Sequence, residues 1–169
     1  MELARPTPLR LESLSLNDVL RELLELHDEQ LTAQKVRPVL DFAPDLPRIL
    51  GDSKRLHRCL GNLVTNALQA MPQGGTLTVQ TSRVEATLRP GEGATPAIQV
   101  QVRDTGVGIP ADRLSKIFDP FYTTKEKGLG MGMAIAHRII EDHRGTVDVE
   151  STLNAGTTFT LCFPIQASV

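Results

Sequence analysis

The sequence predicts an α+β fold of two layers, and three observations carry that expectation. Helical and strand patterns are mixed along the chain without the regular strand–helix–strand repeat of a parallel α/β sheet. Its 169 residues match the length of one ordinary domain. Hydrophobic residues make up 40% and charged residues 22%, which is a globular rather than a disordered balance. Aromatics are few (five Phe, one Tyr, no Trp), so Leu, Val, Ile, Ala and Met must build the core.

Residues 1–13, with Pro6 and Pro8, read as an extended lead-in. From Asn17, a good N-cap, Val19, Leu20, Leu23, Leu24, Leu26 and Leu31 recur at helical steps. Residues 36–42 then alternate like a strand, and Pro38 inside them favours a sheet edge. After Arg48-Ile49-Leu50, Asp52 or Ser53 can cap a second helix running to about Met71. Its apolar stripe is Leu56, Cys59, Leu60, Leu63, Ala67 and Ala70. Gly74-Gly75 turns the chain into a strand over 76–86, a Gly/Pro-rich loop over 87–96 and a returning strand over 97–104. Pro110, in the favoured first-turn position, opens a short helix over 110–118. Residues 119–132 are glycine-rich and loop-like, a helix follows from about Met131 to His143, and two strands close the chain.

Composition excludes several functions. The formal charge of −2 argues against a protein that lives on nucleic-acid phosphates. No apolar run approaches the roughly 20 residues of a membrane helix, and residues 1–10 carry no signal-peptide stretch. Cys59 and Cys162 each sit in an apolar pattern, as small buried thiols of a reducing compartment do.

Four clusters carry chemistry. Asn62 and Asn66 fall on one face of the second helix, and amide oxygens are hard ligands that suit Mg²⁺. Asp104-Thr105-Gly106-Val107-Gly108-Ile109 follows a strand: the Asp offers an acceptor to an exocyclic amine, and the glycines permit a tight turn and close ligand approach. Gly128, Gly130 and Gly132, with Met131 and Met133, open a helix whose N–H groups and positive dipole end suit polyphosphate, and Lys125 stands just upstream. Gly156-Thr157-Thr158-Phe159 begins the last strand and by itself reads as an ordinary turn.

In this order, the clusters resemble the ATP-binding catalytic domain of bacterial sensor histidine kinases, within the superfamily shared with gyrase, heat-shock chaperone and mismatch-repair ATPases. The N-box resembles Asn62 to Met71, the glycine boxes Asp104–Ile109, Gly128–Met133 and Gly156–Phe159, and the F-box Ile117 to Lys125. The fine pattern is most similar to the nitrogen-regulation-like branch. The resemblance implies three main helices on one face of a mixed, mostly antiparallel sheet. It divides the chain into lead-in 1–13, catalytic domain 14–166 and tail 167–169.

Residue by residue, the resemblance implies that Asn66 coordinates Mg²⁺, with Asn62 near the metal or phosphates. Asp104 would receive the adenine amine, supported by Gly108 and a hydroxyl from Thr157 or Thr158, with Gly106 and Ile109 also in the ATP site. Gly128, Gly130, Met131, Gly132 and Met133 would hold the phosphates of ATP, Lys125 would reach the γ-phosphate, and Phe118 and Phe121 would anchor the lid. Leu129 replaces the usual Thr of the second glycine box, and Arg144 stands where a second Gly is common.

The implied acceptor is a histidine on a separate dimerisation domain, with a response regulator receiver domain as the indirect partner. His27, His57, His137 and His143 are the chain's own histidines. His27, followed by Asp28 and Glu29, lacks the basic residue and Pro that normally follow an acceptor. His57 reads as helix surface, and His143 as a structural residue at a helix C-terminus, where positive charge is favourable. The expected setting is the cytoplasm, either as a cytoplasmic protein or as the cytosolic part of a larger sensor, with no nucleic-acid or membrane contact by this domain. Two alternatives share the pocket: an ATP-sensing module that transfers no phosphate, and an anti-sigma-type serine kinase.

Overall fold

A computed structural model describes residues 8–119 and 132–165. In chain order the elements are β1 (Glu12–Leu14), α1 (Leu16–Leu26), α2 (Asp28–Ala33), β2 (Val36–Asp41), β3 (Ile49–Gly51), α3 (Ser53–Ala70), β4 (Gly75–Ala86), β5 (Thr95–Asp104), α4 (Ala111–Leu114), α5 (Gly132–Asp142), β6 (Thr146–Thr152) and β7 (Gly156–Pro164). The main sheet runs β2-β4-β5-β7-β6; β2 pairs parallel with β4 and every other pair is antiparallel. β1 and β3 form a separate antiparallel pair.

Strand alternation explains the two layers. Leu77 and Val79 of β4, Ile98, Val100 and Val102 of β5, and Phe159, Leu161 and Phe163 of β7 are buried under α1, α3 and α5. The intervening positions form a polar face on which Gln101 donates to Thr160 (3.2 Å) and Arg103 donates to Thr158 (3.3 Å). The expected arrangement of three main helices on one face of a mixed, mostly antiparallel sheet is therefore the observed one. Pro38 lies on an edge strand, where its missing N–H costs least. Both cysteines are free and buried, and burial pushes the Cys59 thiol up to about 12.

Several local expectations are corrected. Ser15, not Asn17, caps α1, its hydroxyl accepting from the Asp18 N–H at 3.3 Å. Asn17 is buried instead: it donates to the Ala43 carbonyl and accepts from the Thr81 hydroxyl, both at 2.8 Å, tying α1 to β4. The first helix breaks at His27, whose φ of −98° and ψ of 4° leave the helical range, and α2 restarts it. Glu12 and Ser13, expected in the lead-in, belong to β1. Pro110 caps α4 rather than standing inside it, and that helix ends at Leu114. Beyond it the backbone tightens to three-residue bonds, Lys116 to Arg113 and Asp119 to Lys116.

Candidate active site

The C-terminal end of β5, the start of β7, the second half of α3 and the start of α5 converge on one region. Asp104, the last residue of β5, is only 4% exposed. Its Oδ1 accepts the N–H of Gly106 at 2.9 Å and of Thr157 at 3.2 Å. Its Oδ2 has no partner among the described residues. Burial pushes the carboxyl above the usual aspartate value, opposed by those two N–H groups. A buried acceptor oxygen without a donor is costly, so Asp104 fits the exocyclic amine that the resemblance assigns to it.

The glycines of this turn also serve the protein's own packing. A Cβ on Gly106 would collide with the Ala70 carbonyl, and one on Gly108 with the Thr152 carbonyl. The Val107 N–H donates to the Ala70 carbonyl at 3.0 Å, pinning this loop to the end of α3. Gly156, at a φ of 118°, similarly lies against the backbone of Asp104.

The two threonines separate. Thr157 is buried beside Asp104, whereas Thr158 points to the polar face of the sheet toward Arg103. Thr158 is therefore corrected out of the site: successive strand residues face opposite sides. Ser151, which the sequence did not single out, links the parts. Its hydroxyl meets the Ile109 N–H at 2.7 Å, the Thr157 hydroxyl at 2.8 Å and the Gly156 carbonyl at 3.0 Å. Only strand pairing could reveal it, since Ser151 lies directly opposite Thr157.

Asn62 and Asn66 are both half-buried on α3. Asn62 donates its amide to the Gly132 carbonyl at 3.0 Å, fastening the first turn of α5 to α3. That bond commits the amide NH₂ and not the oxygen. Among the described residues no group of three His, Cys, Asp or Glu could hold a metal. A cation here would rest on amide oxygen, phosphate and water, the hard mixture that suits Mg²⁺. Met133 packs against the core. Phe118 stacks on His137 of α5 at 4.9 Å between ring centroids and meets Phe159 edge-on at 6.4 Å. Lys125, Gly128, Gly130, Met131 and Phe121 lie outside the described residues.

Three of the histidines tie elements together. The His27 Nδ1 bonds the Leu23 carbonyl at 2.9 Å, and the His57 Nε2 meets Glu22 at 3.2 Å, joining α3 to α1. His143 is structural as expected, but not as a cation. Its Nδ1–H donates to the Ile139 carbonyl and its Nε2 accepts from the Asp52 N–H, which is the neutral tautomer's pattern.

Fold and site together define a class: a two-layer α+β domain with a buried carboxylate at a strand end and two asparagines on a facing helix. Residues 51–167 match the family described as histidine kinase-, DNA gyrase B- and HSP90-like ATPase, and the chain belongs to that family. It is 36% identical over 166 residues to the sensor histidine kinase ZraS of Escherichia coli (strain K12), covering 98% of this chain and 34% of that protein. It thus spans about a third of that relative's length. The catalytic domain of histidine kinase ThkA superposes with a TM-score of 0.77 at 29% identity, covering 92% of this chain and 96% of that one. Full-length ShkA in complex with AMPPNP gives 0.80 at 26% identity, covering 97% and 33%. ThkA in complex with the response regulator protein TrrA gives 0.74 at 25% identity, covering 92% and 42%. The fold is that of a histidine-kinase catalytic domain. Among the described residues no helix is long and apolar enough to cross a membrane.

Proposed function

We propose that this domain binds ATP with Mg²⁺ and donates the γ-phosphoryl group to a histidine on a separate dimerisation domain, within a two-component signalling protein. The observation that carries the nucleotide half is the buried, half-satisfied carboxylate of Asp104. Its Oδ2 accepts the adenine amine, with Thr157 rather than Thr158 beside it. Asn66 is the metal ligand, and Asn62 keeps the start of α5 close to it. Bound Mg²⁺ supplies charge neutralisation to the phosphates. Gly128, Gly130, Met131, Gly132 and Met133 hold those phosphates through backbone N–H groups at the helix start. Lys125 adds a point charge at the terminal phosphate, and Phe118 with Phe121 fixes the ends of the covering segment. Positioning and charge neutralisation then carry most of the rate enhancement.

The histidine acceptor is the finer half of the reading. It is supported by the likeness to ZraS over nearly the whole chain. The response regulator would be met indirectly, through the phosphorylated partner, in the cytoplasm. The test combines binding and transfer. ATP with Mg²⁺ should bind, Asn66→Asp and Asp104→Asn should weaken that binding, and a supplied cognate dimerisation domain should gain acid-labile phosphate. Binding without transfer to any cognate histidine would leave a nucleotide-sensing module, and acid-stable phosphate would mean a serine kinase.

A further inference from the structure

We infer that Ser151 is a positioning residue that sets the preference of this site for a 6-aminopurine over a 6-oxopurine nucleotide; the inference rests on the ATP reading above. Ser151 sits opposite Thr157 in the β6–β7 pairing and makes three hydrogen bonds. A serine hydroxyl has one proton and two lone pairs. The Gly156 carbonyl can only accept, so the Ser151 proton goes there (3.0 Å). The Ile109 N–H can only donate, and it takes one lone pair (2.7 Å). The remaining lone pair receives the Thr157 hydroxyl proton (2.8 Å).

Thr157 therefore keeps only lone pairs for any further neighbour. Its own N–H is already held by Asp104 Oδ1, and Asp104 Oδ2 is a bare acceptor among the described residues. With Asp104 Oδ2 and the Thr157 hydroxyl oxygen both left as acceptors, the pair matches an exocyclic amine, which brings two protons. A carbonyl at the same ring position would meet lone pairs on both. Asp104 supplies the charge, and Ser151 keeps Thr157 from turning its proton toward a carbonyl. The same hydroxyl holds the Ile109 turn against the sheet, so the acceptor pair and the glycine turn share one anchor.

The experiment measures equilibrium binding of ATP and ITP, each with Mg²⁺, to the whole chain and to Ser151→Ala, Ser151→Thr, Thr157→Val and Asp104→Asn. Wild type should favour ATP. Ser151→Ala should cut the ATP-to-ITP affinity ratio by about five- to tenfold, the worth of one ordinary hydrogen bond. Ser151→Thr, which keeps the hydroxyl, should hold the wild-type ratio. If Ser151→Ala does not fold, Thr157→Val reads the same ratio and should lower it too. A merely structural Ser151 would weaken both nucleotides alike, and an unchanged ratio overturns the inference. Asp104→Asn separates the two levels: it should reverse the preference. If it does so while Ser151→Ala changes nothing, only the role of Ser151 fails. If wild type binds neither nucleotide, or Asp104→Asn keeps its preference, the ATP reading fails and the inference with it.

Discussion

The backbone N–H of Asp52 donates to Nε2 of His143 at 2.9 Å, a bond between residues 91 positions apart that joins the start of α3 to the end of α5. His143 passes the connection on through Nδ1 to the Ile139 carbonyl at 2.8 Å and packs edge-on against Phe163. His143→Ala would leave the Asp52 N–H buried without a partner and open a cavity beside Phe163. It should cost roughly 3 kcal/mol in a urea unfolding experiment. His143→Gln, with one acceptor and one donor, should recover part of that loss.

Asp52 has a second role, as the cap of α3 and the tie to the lead-in. Burial alone would raise its carboxyl, but the N–H groups of Arg10 (2.9 Å) and Arg55 (3.2 Å), with the Arg55 guanidinium, outweigh it and hold it below the ordinary value. The sign follows from linkage: a depressed folded-state value stabilises above the unfolded value of 3.8 and is lost as pH falls through the folded one. The stability gap between wild type and Asp52→Asn should be full at neutral pH and close in strong acid. A gap that stays constant with pH would contradict this account.

Asp104 behaves in the opposite sense. Burial raises its carboxyl despite the Gly106 and Thr157 N–H groups, so its favourable contribution is present below 3.8 and lost as pH rises through the folded value. The ionised carboxylate thus costs stability at neutral pH. Asp104→Asn, whose oxygen can keep both N–H bonds, should raise the melting temperature of the nucleotide-free domain. The same change puts an NH₂ where the amine of ATP must donate, so ATP affinity should drop on the order of 100-fold. Calorimetric melting and titration on one preparation read both effects.

Gly156 carries the backbone contact beneath that carboxylate. Its φ of 118° disfavours any side chain, and a Cβ would strike the Asp104 carbonyl. Gly156→Ala should destabilise by roughly 3 kcal/mol in denaturant titration. Gly91→Ala, at a φ of 83° with open space around it, should cost only about 1 kcal/mol.

Much of the layer plan was legible because burial follows period. The stripe from Leu56 to Ala67 marks α3, and the alternation of Leu77, Val79 and Thr81 marks β4. What failed was local competition between equivalent polar groups. Asn17 and Ser15 are both good caps, and only the presence of the Ala43 carbonyl and the Thr81 hydroxyl draws Asn17 inward. The close contacts of Gly106 with Ala70 and of Gly108 with Thr152 likewise come from segments distant in the chain, which no local pattern records.

The sequence alone determined the family and the order of the motif clusters. These depend on residue type and short spacing, which the chain carries wherever it folds. Tertiary structure alone decided which threonine lies beside Asp104, that Ser151 bonds Thr157, and that His143 is a neutral strut to Asp52. Each of those depends on strand register or on contacts between distant segments. A shift of one residue in pairing would exchange Thr157 for Thr158, and no local pattern records which register the packed core selects.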